Sequence, residues 1–137
     1  MNDRQHGSAD EAAVRTVVES WMACVRRRDI AGILQNHSPD IVMFDVPPPF
    51  QSRGIEAYRK TWDPFFSWSR DPVAFDATEM SITAGADVAF VVAAMRCAAP
   101  GANGKPESLD FRLTVGLRKI DGRWSITHEH HSVPATD

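Results

Sequence analysis

Residues 111–134 of this chain read FRLTVGLRKIDGRWSITHEHHSVP. Two runs rich in β-forming residues flank the dipeptide Asp121-Gly122, which tolerates the positive φ angles of a two-residue hairpin loop. Pro134 ends the second run because proline has no N–H to donate to a sheet. The sequence therefore predicts a β-hairpin near the end of the chain, with its turn at Asp121-Gly122.

Counting outward from that turn assigns the hairpin side chains to two faces. The predicted apolar face holds Trp124 and the pairs Leu117/Ile126, Val115/His128 and Leu113/His130. The predicted polar face holds the pairs Arg118/Ser125, Gly116/Thr127, Thr114/Glu129 and Arg112/His131. A slip of one residue would move Trp124 and Ile126 to the polar face, so burial favours this register. The clustering of three of the five histidines in one strand is the first indication of a functional site.

Length and composition predict one globular domain, residues 1–137, with residues 1–8 flexible. A net charge of -3 disfavours nucleic-acid and membrane partners, because such surfaces need clustered Lys and Arg. Cys24 and Cys97 are too few and too far apart for a disulfide framework or a metal motif. No apolar run approaches the roughly 20 residues that cross a bilayer. These features predict a soluble, cytoplasmic protein.

The first half of the chain predicts helices around one short strand. Ser8 and Glu11 form the pattern of a helix start, and apolar residues then recur at helical spacing from Val14 to Val25. Asp29 is expected to cap a second helix that ends near His37, followed by a turn at residues 38–40. A β run from Ile41 to Asp45 stops at three consecutive prolines, Pro47, Pro48 and Pro49. Gly54 begins a third helix, which carries Ile55, Tyr58 and Trp62.

The second half predicts only strands, from Val73 to Thr83, from Val88 to Cys97 and from Glu107 into the final hairpin. Helices followed by a run of neighbouring strands are typical of an α+β fold with helices on one face of an antiparallel sheet.

The chain resembles the SnoaL-like branch of the nuclear transport factor 2 (NTF2-like) superfamily. The likeness rests on the order of elements, the Asp45-Val46-Pro47-Pro48-Pro49 turn, Arg53-Gly54 before the Tyr58/Trp62 helix, and the closing Asp-Gly-x-Trp-x-Ile-x-His-Glu-His-x-Ser-Val-Pro. It implies a cystatin-like cone, in which a curved, mixed and mostly antiparallel sheet wraps three helices and encloses a pocket. It also implies a homodimer formed through the sheet. Members of this superfamily include ketosteroid isomerase, polyketide cyclases, dehydratases and epoxide hydrolases, and also proteins that only bind or assemble.

Asp45 is the first candidate catalytic residue. It shares a strand face with Ile41 and Met43, so its carboxyl is expected to point inward, where desolvation raises its pKa and favours proton transfer next to a carbonyl. Ketosteroid isomerase pairs such an Asp base with a Tyr and a protonated Asp. This chain departs from that pattern, because its one tyrosine is Tyr58, on the third helix. The alternative is that Asp45 caps the turn before the prolines and pairs with Arg53.

His128 and His130 are the other candidate catalytic residues, as proton-transfer partners of Asp45; the alternative is that they are hydrogen-bonded structural histidines at the pocket rim. A His-x-His pair can also bind a metal, but a stable site needs a third ligand, which Asp45 or Glu129 could supply only through the tertiary fold, so no metal site is predicted. Glu129 and His131 are expected in an interface or surface network. The candidate ligand-binding residues are Trp21, Tyr58, Trp62 and Arg112, of which the aromatic ones also fit plain core packing.

Two functions follow from these predictions. The first is a small-molecule enzyme that needs no cofactor, an isomerase, cyclase or dehydratase acting by proton transfer next to a carbonyl of an apolar ligand. The second is a non-catalytic dimeric module for ligand binding or assembly.

Overall fold

A computed structural model describes residues 3–69, 73–100 and 106–135 of the chain. The helices are α1 (Asp3–Arg26), α2 (Ile30–Leu34), α3 (Ile55–Lys60) and α4 (Trp62–Trp68). The strands are β1 (His37–Phe44), β2 (Ser52–Arg53), β3 (Ala74–Ala84), β4 (Val88–Pro100), β5 (Pro106–Ile120) and β6 (Arg123–Ser132). The predicted α+β class is confirmed, with one refinement: the third predicted helix is two helices, which share Thr61 as a cap residue.

The strands form one six-stranded sheet in the order β2-β1-β6-β5-β4-β3. Strands β1 and β6 run parallel, and every other neighbouring pair is antiparallel. One face of the sheet packs against the helices and forms the core with the buried stripe of α1, which consists of Val14, Val18, Trp21 and Val25. The mixed, mostly antiparallel sheet covering the helices agrees with the prediction.

Helix α1 begins at Asp3, five residues before the predicted start at Ser8. Arg4 and Gln5 have good helix propensity, and the helix continues through Gly7 although glycine is unfavourable inside helices. Residues 1 and 2 lie outside the described residues, and the flexibility of residues 1–8 stays a prediction. No helix within the described ranges combines the length and the apolar character needed to cross a membrane.

His37 is the first residue of β1 and not, as predicted, the end of the second helix. The backbone of Asn36 has a φ of 62°, which ends α2 abruptly, and the carbonyl of Asn36 accepts a hydrogen bond from the Ile126 N–H at 2.6 Å. Residues 38–40 belong to β1 and are not a separate turn. The pairing of β1 with β6 is irregular between His37 and Val42, which accommodates Pro39, a residue that cannot donate to the ladder.

The final hairpin forms at the predicted turn. Asp121 and Gly122 both have positive φ, 52° and 79°, and Ile120 pairs with Arg123 as expected. The predicted pairing holds as far as Leu117 with Ile126. The register then shifts by one residue, so the predicted faces are correct for β5 and for β6 as far as Ile126, and wrong for the β6 residues after it.

A β-bulge at Thr127 causes this shift. Gly116 pairs with His128 instead of Thr127, and the Thr127 hydroxyl donates to the Gly116 carbonyl at 3.3 Å. A bulge places two residues of one strand opposite one residue of the other, so the side-chain alternation is reset. Glu129 therefore pairs with Val115 and His131 with Leu113 on the inner face. The predicted inner pairs, Val115/His128 and Leu113/His130, are wrong.

Candidate functional site

An apolar cavity of about 280 Å³ opens between the helices and the inner face of the sheet. It is lined by residues from β1 and the turn after it, from α4, and from β3, β4, β5 and β6. The rings in its wall belong to Trp62, Phe65, Trp68, Phe75 and Phe111. Its polar lining comes from Asp45, Thr61, Cys97 and His131. The cavity is thus a largely aromatic chamber with few ionisable groups, as is usual for small-molecule sites.

Asp45 follows the last residue of β1 and lies on the inner side with Ile41 and Met43, as the strand alternation predicted. Its Oδ1 accepts a hydrogen bond from the Val46 N–H at 2.8 Å. Burial raises the pKa of this carboxyl above its usual value, and the nearby His131 only partly opposes the effect. The structure therefore gives Asp45 the position and the pKa shift expected of a candidate proton acceptor; its catalytic role stays a prediction.

Glu129 is the centre of a hydrogen-bond network behind the cavity wall. Its side chain is completely buried. Its Oε2 accepts from the Tyr58 hydroxyl at 2.7 Å and lies 2.5 Å from His37 Nε2, and its Oε1 lies 3.0 Å from His131 Nε2. Burial alone would raise the pKa of Glu129, but the hydrogen bonds with His131 and His37, together with the charge of His37, outweigh it and lower the pKa to about 2. The carboxylate is thus stabilised by three donors and not by water.

Tyr58 links this network to the first helix. The Trp21 indole N–H donates to the Tyr58 hydroxyl at 3.2 Å, and the Tyr58 hydroxyl donates to Glu129. Burial, together with the adjacent Glu129 carboxylate, raises the pKa of Tyr58 well above its usual value. Tyr58 therefore stays neutral and serves as a donor to Glu129.

His131 connects the Glu129 network with the cavity. Its ring stacks on Phe111 with a centroid distance of 5.4 Å and an angle of 5° between the planes. The edges of Trp21 and Trp62 contact it at centroid distances of 6.1 Å and 6.4 Å. These rings and the bond to Glu129 hold the imidazole in one orientation, while it still lines the cavity. His131 therefore lines the same cavity wall as Asp45.

His128 and His130, the predicted catalytic histidines, lie on the opposite face of the sheet. His128 Nδ1 is 2.7 Å from the Val42 carbonyl, and the Phe44 ring touches both imidazoles edge-on. Neither histidine lines the cavity. The Thr127 bulge is the physical reason, because it exchanges the sides of every residue that follows it. Glu129 and His131, expected on the surface, occupy the inner positions instead.

The candidate ligand-binding residues separate into three positions. Trp62 lines the cavity, as predicted. Trp21 and Tyr58 are buried behind its wall and contact the Glu129 network. Arg112 is exposed on the outer face of the sheet, where its Nε donates to Ser132 Oγ at 3.1 Å. Of the four, only Trp62 is therefore placed to touch a ligand in this cavity.

Sequence reasoning missed His37, Glu129 and His131 as one group. Glu129 is separated from His37 by 92 residues and from Tyr58 by 71, so their contact is a product of the tertiary fold. One local signal was available, since a glycine inside a strand pattern, here Gly116, is a mark of a bulge. Applying a bulge opposite Gly116 would have brought Glu129 and His131 inward.

Among the described residues, no three side chains of the ligand-forming types are placed to hold a metal ion. The third ligands considered for His128 and His130 were Asp45 and Glu129, and both lie on the other side of the sheet. The two histidines therefore have neither of those partners.

Solved structures share this fold over nearly the whole chain. An NTF2-like protein of unknown function from Pseudomonas putida KT2440 is 33% identical, with a TM-score of 0.84 over 93% of this chain and 88% of that chain. A ketosteroid isomerase-like protein from Erwinia carotovora atroseptica is 20% identical, with a TM-score of 0.75 over 91% of this chain and 98% of that one. An NTF2-like protein with a cystatin-like fold from Novosphingobium aromaticivorans is 13% identical, with a TM-score of 0.80 over 94% and 84%.

No protein with a curated description matches the sequence. The family described as the SnoaL-like domain matches residues 14–136, which include every residue of the cavity wall and of the Glu129 network. The fold, with helices packed on the inner face of the sheet, agrees with this family match. The chain belongs to the SnoaL-like domain family within the NTF2-like superfamily.

Proposed function

We propose that this protein binds an apolar, carbonyl-bearing small molecule in the cavity and transfers a proton next to the carbonyl, as an isomerase, cyclase or dehydratase without a cofactor. One observation supports the proposal most directly: Asp45 and His131 line the same aromatic cavity. Burial raises the pKa of the Asp45 carboxyl, and a hydrogen bond with Glu129 fixes the His131 ring. A raised carboxyl pKa makes the ionised form a stronger base, and a base is most effective when its pKa approaches the working pH.

The two groups have complementary roles in this proposal. Asp45 removes a proton from the carbon beside the carbonyl and returns it at a second position. His131 is its proton-transfer partner: the ring nitrogen that faces away from Glu129 accepts a hydrogen bond from the Asp45 carboxylic acid while that group holds the proton. Tyr58 is not available as a donor to the carbonyl oxygen, because its hydroxyl is committed to Glu129. The arrangement thus differs from that of ketosteroid isomerase, where a Tyr and a protonated Asp stabilise the oxyanion.

The lining also indicates the charge of the ligand. None of the described residues around the cavity is Lys or Arg. A carboxylate or phosphate group would enter without a cationic partner and would lose its hydration, which is unfavourable. Flat aromatic rings on several walls favour a neutral, planar or cyclic ligand, which Trp62, Phe65 and Phe111 would contact.

A thermal-shift screen is the first test of this proposal. Cyclic ketones, polyketide-like aromatics, short carboxylates and divalent metals are each tested with and without a chelator. A ligand at a hundred times its dissociation constant stabilises the folded state by about 2.7 kcal/mol, which is readily detected. A shift from one neutral carbonyl class, insensitive to chelator, is the expected result.

Turnover of that class then tests the two residues. Asp45→Asn is expected to abolish turnover and His131→Gln to reduce it strongly, while both variants stay folded. His130→Gln is the matched control, because it removes a histidine from the outer face of the same strand and should leave turnover unchanged. Unchanged turnover in Asp45→Asn would remove Asp45 from the mechanism, and loss of activity in the control would contradict the assignment of faces.

The alternative, a dimeric module without catalysis, is favoured by a different observation. The outer face of β4 exposes Val88, Phe90 and Val92 in a row, each about half accessible to solvent. Such an apolar stripe is typical of an interface, and here it would join two copies through their sheets. Ligand affinity that does not change between about pH 5 and 8 would favour this module, since a working histidine titrates there.

A further inference from the structure

The buried groups behind the cavity form a continuous series, His37–Glu129–His131. It begins at the first residue of β1 and ends at the cavity wall. The side chains of His37 and Glu129 have no exposure to solvent, and that of His131 is 8% exposed. Because the side chains of His37 and Glu129 do not contact solvent, their hydrogens are assigned by the donor and acceptor chemistry of their neighbours.

The positions of two of these hydrogens can be deduced, because each has a neighbour that can only accept or only donate a hydrogen bond. His37 Nδ1 lies 3.1 Å from the Gln35 carbonyl, which only accepts, so Nδ1 carries a hydrogen. The Trp21 indole N–H only donates, so the Tyr58 oxygen accepts from it and the Tyr58 hydrogen is directed to Glu129 Oε2.

The third hydrogen lies between His37 and Glu129. A separation of 2.5 Å between His37 Nε2 and Glu129 Oε2 requires a shared hydrogen, because two lone pairs would repel at this distance. His37 Nδ1 is already protonated. The pair therefore consists either of an imidazolium and a carboxylate or of a neutral imidazole and a carboxylic acid.

The surroundings favour the ionised pair. The Glu129 carboxyl group accepts from Tyr58 and also faces His131 Nε2, and its pKa is lowered to about 2 despite the burial that would raise it. A single positive charge on His37 then balances the single negative charge on Glu129. A second imidazolium at His131 could be balanced only by Asp45 among the described cavity groups, and burial of Asp45 favours the neutral form of that carboxyl. The other titratable groups close to this series are Tyr58, which stays neutral, and the cavity groups Asp45 and Cys97.

We propose that His37 is a protonated positioning residue, which acts through the Glu129 carboxylate to hold neutral His131 in the tautomer with hydrogen on Nε2. Nδ1 of His131 is then the free basic nitrogen, and no hydrogen bond to it is formed within the described part of the chain. His37 touches no ligand. A role of this arrangement in catalysis rests on the proposed function. The positions of the protons are independent of that function.

The test is ¹⁵N NMR of the histidine rings in the ligand-free protein at pH 7. His37→Gln and His131→Gln assign the two rings. We expect His37 to carry hydrogen on both nitrogens and His131 to carry it on Nε2 alone. In Glu129→Gln, His37 should lose one ring hydrogen and His131 should lose its single tautomer, while His130→Gln should change neither ring.

The parent spectrum decides the proposal even if Glu129→Gln does not fold. A single hydrogen on His37, or hydrogen on Nδ1 of His131, would overturn it. So would a folded Glu129→Gln variant in which both rings keep the parent pattern. If the expected pattern is found but no carbonyl ligand is turned over, the proton arrangement stands and the proposed function fails.

Discussion

Glu129 combines complete burial with an ionised carboxyl, so its contribution to stability depends on pH. Its pKa is about 2 in the folded protein, against 4.5 for an ordinary glutamate. A group with a lowered pKa stabilises the fold fully above its unfolded pKa and loses that contribution as pH falls through the folded value.

We therefore predict that the free energy of unfolding falls between about pH 5 and pH 2, by roughly 3 kcal/mol from this carboxyl. Urea denaturation across that range measures the change. Glu129→Gln, which cannot titrate, should be less stable than the parent at pH 7 and should show a smaller decline on acidification. An equally steep decline in both proteins would assign the acid sensitivity to other carboxyls.

Asp45 has the opposite shift, and the opposite consequence follows. A raised folded pKa means that the folded protein favours the neutral carboxyl, so ionisation at neutral pH is destabilising. Asp45→Asn is expected to be more stable than the parent at pH 7, and the difference should vanish below the ordinary Asp pKa of 3.8. Thermal denaturation at both pH values is the measurement. Lower stability of the variant at pH 7 would show that the charge of Asp45 is favourable in the fold.

The hairpin of β5 and β6 illustrates what an element reveals from its sequence. The Asp121-Gly122 turn and the pairs nearest to it were predictable, because turn chemistry and the burial of Trp124 and Ile126 are local properties. The bulge left only one local signal, Gly116, and its position depends on the partner strands on both sides. Gly116 supplies the carbonyl that Thr127 binds, and β1 shifts its own register beside the same stretch.

The turn itself offers a prediction at this scale. Gly122 has a φ of 79°, and a Cβ added there would meet no atom within 4 Å, so only the backbone conformation opposes a side chain. Gly122→Ala is expected to destabilise the protein by about 1–2 kcal/mol, the cost of the left-handed conformation for an L-residue. Urea denaturation provides the comparison, with Gly85→Ala as control, where the added Cβ makes only an ordinary contact. Equal effects of the two substitutions would contradict this explanation.

For the molecule as a whole, the α+β class and the superfamily could be predicted from the order of elements and from the closing motif. The inward position of Asp45 could be predicted as well. The network around Glu129 could not, since it joins β1, α3 and β6, whose side chains meet only after the sheet has closed over the helices. The fold was therefore easier to predict from the sequence than the site, because the spacing of apolar residues indicates which side chains are buried but not which side chains they contact.

We predict that the protein is a dimer joined through the outer face of its sheet. Phe90→Glu places a charge in the middle of the Val88/Phe90/Val92 stripe and should convert the dimer to a monomer, measured by size-exclusion chromatography with light scattering. Phe50→Glu is the control, because Phe50 is 95% exposed but lies in the connection between β1 and β2. A monomeric parent, or a dimeric Phe90→Glu variant, would contradict the prediction.

The bulge at Thr127 also bears on how such a site changes in evolution. Paired without it, the residues after Ile126 would present His128 and His130 to the cavity and Glu129 and His131 to solvent. One stretch of β6 therefore encodes two mutually exclusive inner surfaces, one with two imidazoles and one with an acid and an imidazole. Descendants of this gene can exchange one chemistry for the other by a shift in strand pairing, with every ionisable residue of the strand retained.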